Sequence, residues 1–191
     1  EGVEQDPEIA ANWYRRAASF GHAKAQYNLG IAYLQGAGVE KDPAEAAKWL
    51  EKSAKQGWPP AEYSYGLLLL RGFGVEKNDQ EAAAWLLKGA EHGHPDAQFA
   101  LGMLYIAGEG VEKDMTEGMR WLRAAAEQTH HEAIYRLGTM NPARGLEPDS
   151  PEALEKIRAA ADLGYPKAQY DLGAAYASGS AGLEKDESQA A

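Results

Sequence analysis

No cysteine occurs in the 191 residues of the chain. That excludes a disulfide framework, thiolate catalysis and zinc sites built on Cys ligands. It leaves the redox compartment open, because a chain without thiols is indifferent to oxidation. Long apolar runs are missing too. A stretch such as Gly66 to Leu70 falls far short of the ~20 residues that cross a bilayer. Cations are the minority, with 19 Lys and Arg against 29 Asp and Glu and a net charge of −10. They are scattered among acids rather than gathered into a patch, so nucleic acid is not an expected partner. No signal peptide is visible.

The common enzyme signatures are also missing. Gly36-x-Gly38 is half of a dinucleotide fingerprint, but it follows a helical pattern rather than a strand and lacks the third Gly. Ser53 is followed by Lys55, one residue too close for Ser-x-x-Lys, and there is no Lys-Thr-Gly. No catalytic residue, cofactor or metal site is expected, and the chain is read as a non-enzyme.

What is present is a period. Gly30, Gly66, Gly102 and Gly138 stand 36 residues apart, and Gly173 follows after 35. Ala25, Ala61, Ala97, Ala133 and Ala168 keep the same step, as do Trp13, Trp49, Trp85 and Trp121. A fixed period of this length marks a solenoid or array. The repeats divide the chain into 1–22 (a half repeat), 23–58, 59–94, 95–130, 131–165 (irregular) and 166–191 (truncated), read as one solenoid domain. The chain opens on Glu1-Gly2-Val3-Glu4, the middle of a repeat. The expectation is a piece of a longer array, or uncapped ends that self-associate.

Each repeat predicts a helix A, a loop and a helix B. In helix A, Ala25, Leu29 and Tyr33 step by four and share a face. Gly30 sits mid-helix, where it costs about 1 kcal/mol relative to Ala, so a close neighbouring helix is expected there. In the loop, Gly36 is expected as a left-handed C-cap, Gly38 as the residue that permits the reversal, and Val39 as a hydrophobic plug. Asp42-Pro43-Ala44-Glu45 predicts a capping box at the start of helix B, repeated from Asn78, Asp114 and Asp149. Helix B carries Ala46, Trp49, Leu50 and Ala54 on one face, and Trp49, Trp85 and Trp121 are expected in the core. His22, His94 and His130 share a position that Trp58 and Tyr165 fill elsewhere, so it is read as a packing or loop position. In the irregular repeat the loop becomes 141–149, Lys156 replaces the Trp, and a shortened helix A is expected.

The pattern A-x-Y-x-L-G-x-x-Y-x-x-G-x-G-V-x-x-D-x-x-x-A-x-x-W-x-x-x-A-x-x-G resembles the Sel-like repeat family, a relative of the tetratricopeptide repeat, over essentially the whole chain. The resemblance implies an all-α fold, an α/α superhelix of antiparallel helix hairpins. It also implies a scaffold or adaptor role, commonly in bacterial exported, envelope or signalling proteins. A disulfide-rich subgroup is excluded by the absent cysteines. In tetratricopeptide-type solenoids helix A lines the concave surface. By that resemblance, the expected partner-binding residues are Tyr27, Asn28, Ile31 and Gln35 in one repeat and Tyr63, Ser64, Leu67 and Arg71 in the next. Phe99 and Met103, then Tyr135 and Arg136, then Tyr170 and Asp171 continue the series. The recurring aromatics Tyr27, Tyr63, Phe99, Tyr135 and Tyr170 also fit an inter-repeat core. The expected partner is a peptide or another protein; a spacer or assembly module acting through its ends or convex face is the alternative.

Overall fold

The computed structural model describes residues 6–140 and 151–178. The described residues form ten α-helices and no strand. They fall into two compact units, Glu1–Lys113 and Asp114–Ala191. The first unit holds α1 (Pro7–Ser19), α2 (Ala23–Gln35), α3 (Pro43–Ala54), α4 (Pro59–Arg71), α5 (Asp79–Glu91) and α6 (Pro95–Ala107). The second holds α7 (Met115–Glu127), α8 (His131–Thr139), α9 (Pro151–Asp162) and α10 (Pro166–Ser178). Even-numbered helices are of type A and odd-numbered ones of type B, so α2–α3, α4–α5 and α8–α9 are complete hairpins.

Small residues at the hairpin crossing let the two backbones approach. A Cβ added at Gly30 would lie 2.7 Å from Leu50 Cγ, and one at Gly66 would lie 2.9 Å from Leu86 Cγ. Leu50 and Leu86 are completely buried under these glycines. Burying a leucine stabilises by roughly 1.5–3 kcal/mol, which offsets the helix propensity lost at the Gly.

The two loop glycines do different things. Gly36, Gly72 and Gly108 are left-handed C-caps whose N–H groups donate to Ala32, Leu68 and Leu104. Gly38 and Gly74 also have positive φ, but their main task lies elsewhere. A Cβ on Gly38 would overlap the Pro7 carbonyl, and one on Gly74 the Pro43 carbonyl. The second glycine therefore lays the loop against the first turn of the preceding helix B. It ties one hairpin to the one before, beyond the reversal expected from sequence. Val75 in this loop is half-buried against the core of Leu50, Leu68 and Leu69.

Two expectations are corrected at the helix starts. Asp42 caps α3, accepting from the N–H groups of Ala44 and Glu45, but the capping box is not reciprocal. The Asp42 N–H donates instead to the Tyr33 carbonyl at 3.0 Å, and the Asn78 N–H to Leu69 at 3.0 Å. With that donor already taken, Glu45 turns outward to Lys48. Asp149 lies outside the described residues. The second correction concerns His22, His94 and His130, which are N-caps of α2, α6 and α8. Each Nδ1 accepts from the backbone N–H three residues on, at 3.2–3.3 Å. Trp58, at the same position, makes no such bond. Pro59 and Pro95 are the first residues of α4 and α6.

Helix A is also bolted to its neighbours by a polar residue, buried at Gln26 and Gln98 and exposed at Gln169. Gln26, Gln98 and Gln169 each donate from Nε2 to a carbonyl eight residues earlier, in the preceding helix B. Gln26 also accepts from Gln56 Nε2 at 2.6 Å. At the equivalent place Glu62, only 1% exposed, meets His92 Nδ1 at 2.7 Å.

The Trp series is less uniformly core than expected. Trp85 and Trp121 are buried, Trp49 is half-buried, and Trp13 is 60% exposed. Among the described residues no helix A precedes α1, so nothing covers Trp13 as Tyr65 covers Trp85 edge-on at 5.7 Å. Each indole carries a cation over its face. Lys52 stands 4.1 Å from the Trp49 ring and Lys88 3.9 Å from that of Trp85. The expected shortening in the irregular repeat is present: α8 has nine residues where α2, α4, α6 and α10 have thirteen. The loop 141–149, also singled out in sequence, lies outside the described residues.

Candidate partner-binding site

In the first unit, α1 and α2 enclose a cavity of about 260 Å³. One wall is the exposed edge of α2, formed by Tyr27, Asn28, Ile31 and Gln35. The other is α1, which contributes Pro7, Ala10, Ala11 and Tyr14. The α2 wall exists because residues at spacings of three and four fall on one side of a helix. The α1 wall is shallow because two adjacent alanines leave the backbone uncovered. Tyr14 separates this cavity from a second recess of about 480 Å³, to which Trp13, Ala17, His22, Lys24 and Ala25 contribute. Asn28 and Tyr14 line both. The lining is mainly apolar, with Asn28 and Gln35 offering amide donors and acceptors and Tyr14 and Tyr27 offering hydroxyls.

Four expected residues of one repeat therefore share one cavity. Tyr27 and Ile31 are not free surface, since both also pack against the core formed by Ala61, Tyr65 and Leu68. The expected residues of later repeats are placed elsewhere. Tyr63 is half-buried and stacks on His94 at 5.1 Å, Ser64 and Leu67 are half-buried, and Arg71 is exposed at the end of α4. Phe99 and Met103 are half-buried on α6.

In the second unit Tyr135 is only 4% exposed and belongs to a core with Ala160, Ala161 and Ala168. It was expected on the binding surface; packing against α9 and α10 turns it inward. Its hydroxyl donates to Asp171 Oδ2 at 2.6 Å, so two expected site residues satisfy each other. Burial, and then the bond to Asp171, raises the Tyr135 pKa above the ordinary tyrosine value. Lys167 lies 5.3 Å from the Tyr135 ring centre, and its pKa is raised by its bond to Tyr135 and by the Asp171 charge. Arg136 is half-buried; one guanidinium nitrogen is 3.6 Å from Glu132, and its Nε is buried with no hydrogen-bond partner among the described residues. Tyr170 is 77% exposed.

Sequence reasoning missed α1. Tyr14 is the residue it should have found, because it stands where the other helices B carry Leu50, Leu86 and Leu122. Those leucines are completely buried, whereas Tyr14 is 37% exposed. A polar-tipped aromatic in a leucine register is a signal legible in the repeat alignment alone.

The Sel1 repeat family profile matches the whole chain, at residues 1–22, 23–58, 59–94, 95–130, 131–165 and 166–191. Among solved structures, a Sel1 repeat protein from Oxalobacter formigenes is 39% identical, with a TM-score of 0.90 over 99% of this chain and 78% of its own. A protective antigen with an SLR fold from uropathogenic Escherichia coli strains is 35% identical, with a TM-score of 0.81. That match covers all of this chain, which spans 41% of the antigen. The immunity protein Pa5087 from Pseudomonas aeruginosa is 25% identical, with a TM-score of 0.66, covering 98% of this chain and 72% of its own. No curated protein matches the chain.

Proposed function

The chain belongs to the Sel1 repeat family, and from that premise we propose that it is a non-enzymatic adaptor that holds a peptide or a segment of another protein against the exposed face of its A helices. Sel1 repeat proteins are generally protein–protein interaction scaffolds and are typically non-catalytic. No helix among the described residues is long and apolar enough to cross a membrane. The observation that carries the finer reading is the α1–α2 cavity, where Tyr27, Asn28, Ile31 and Gln35 come together opposite Tyr14. Aromatic side chains flanked by amides are suitable anchors for a segment of protein, since they bury a large area with few rotatable bonds. Arg136, with a buried unpartnered Nε, is a second candidate anchor in the other unit.

A second reading, self-association through the α1 end, is favoured by one observation. Ile9, Trp13 and Phe20 are 56%, 60% and 91% exposed on or next to α1. One experiment separates the two. Peptides selected on the protein from a random display library are titrated against a Tyr27→Ala/Gln35→Ala variant and a Trp13→Ala/Phe20→Ala variant. Loss of binding only in the first supports the cavity. Binding unaffected by the first variant overturns that reading, and sedimentation that depends on concentration and on Trp13 and Phe20 establishes the second.

A further inference from the structure

The irregular hairpin of the second unit contains an emptied aromatic site. In the first unit Trp49 packs on a core that includes Ala18 and Leu29. The residues in the same registers of the second unit are Ala126 and Leu137, and the indole position is taken by Lys156. There α7, α8 and α9 enclose a cavity of about 320 Å³, lined by Arg123, Ala126, Glu127, Ile134, Leu137 and Lys156. That size is at the lower end of the range for ligand sites. A second change makes it more apolar. Ile134 stands in the register of Gln26, Gln98 and Gln169, so the amide that elsewhere bonds to the preceding helix B is replaced by an apolar side chain.

The rim is cationic with one acid. Arg123 is exposed and makes no ion pair among the described residues. The Lys156 ammonium lies 3.0 Å from Glu152, which is well exposed and exchangeable for solvent. Glu127 is exposed at the same rim. In the repeats that keep the tryptophan, a Lys or Arg is always found over the ring, as Arg120 is over Trp121 at 4.2 Å. Those cations come from the tryptophan's own helix, three residues on or one before, places that hold Ala159 and Glu155 in α9; at the emptied site the cations are instead Arg123 from α7 and Lys156 itself.

We propose that this cavity binds a tryptophan or tyrosine side chain supplied by a partner protein. The ring lies against Ile134 and Leu137, beside the Lys156 stem that takes the indole register. The Arg123 and Lys156 cations face its π cloud, and Glu127 accepts the indole N–H or phenol O–H. An aliphatic side chain of similar bulk gains neither term. The inference does not rest on the α1–α2 cavity.

The test uses the whole chain with labelled methyl groups and N-acetyl-tryptophanamide as the probe. Saturable shifts are expected at the methyls of Ile134 and Leu137, with N-acetyl-leucinamide weaker by about fivefold or more. Lys156→Trp, which restores the covalent indole, abolishes them, and so does the cavity-filling Leu137→Phe read at Ile134. Circular dichroism checks that both variants are folded; should either unfold, the wild-type titration alone decides. Shifts confined to Ile31, no saturable shift at Ile134 and Leu137, equal affinity for the leucine probe, or binding that survives in a folded Lys156→Trp protein would each overturn the proposal. A tryptophan-containing peptide that binds more tightly than the free amide supports a protein source, and one that is excluded from the site refutes it.

Discussion

The α4–α5 hairpin of the first unit and the α8–α9 hairpin of the second follow one plan, and they part at a handful of positions. Both cross at a glycine, Gly66 over Leu86 and Gly138 over Ile157. In the first, Leu86 is completely buried, Trp85 fills the space beside Tyr65, and Glu62 reaches His92. In the second, Leu137 stands for Tyr65, Lys156 for Trp85 and Ile134 for Glu62, and Ile157 is half-buried. Helix A shortens from thirteen residues to nine. The crossing survives because it depends on a small residue meeting a branched aliphatic one. The filling does not survive, because it depends on large side chains that the second hairpin lacks. A repeat protein can therefore lose packing volume in one hairpin without losing the hairpin.

Four tests sharpen or break that contrast. The largest effect is expected at the inter-hairpin contact. Gly74→Ala sets a Cβ against the Pro43 carbonyl at a positive φ, and should cost more than about 4 kcal/mol in chemical denaturation. A loss below about 1 kcal/mol would show that this contact yields easily. Next comes the crossing itself. Leu86→Ala should cost about 3 kcal/mol and Ile157→Ala clearly less, because only Leu86 is fully enclosed. Equal losses would mean that the two hairpins are equally well filled.

The third test concerns the buried carboxylate. Glu62→Ala empties a fully buried position and removes the bond to the exposed His92, and should cost about 2 kcal/mol. Glu62→Gln restores the amide of the neighbouring repeats and should stay within about 1 kcal/mol of the parent in thermal melts. The smallest effect is a pH dependence to which Tyr65 contributes in the first hairpin, as Tyr135 does in the second. Burial, and then the charges of Glu51 and Glu81, raise the Tyr65 pKa from 10.0 to about 12. The folded chain holds that proton more tightly than the unfolded one. Its contribution is therefore complete below pH 10 and is lost as pH rises toward 12. Tyr65→Phe should flatten the decline of stability across that window, and an unchanged slope would assign the decline to other tyrosines.

Much of this was legible in sequence, and for local reasons. Gly36 announces a left-handed cap, Asp42 an N-cap, and Ala25 with Leu29 a buried face, because each depends on residues within one or two turns. The candidate site was half legible. Tyr27, Asn28, Ile31 and Gln35 fall on one edge of α2 by helical spacing alone, but the wall opposite them belongs to α1 and was missed. Tyr135 was legible only as one of two readings, binding surface or inter-repeat core, and at this position the packing of α9 and α10 buries it. The histidine caps were missed because the position also accepts Trp and Tyr, which hid a hydrogen bond made by only some of its occupants.

The sequence by itself determined the period, the helices, their glycine and aspartate caps and the family, since all of these follow from patterns a few residues long repeated along the chain. The tertiary structure alone decided which side chains meet across hairpins. Gly38 against Pro7, Gln26 against Ala18 and Gln56, and Tyr14 opposite Gln35 are joined by the angle and offset at which one hairpin stacks on the next. That offset comes from the summed packing of many side chains and is written at no single position. For the same reason the vacancy beside Lys156 cannot be seen in the residue itself. A lysine in place of a tryptophan becomes a cavity only once Ala126, Ile134 and Leu137 are fixed around it.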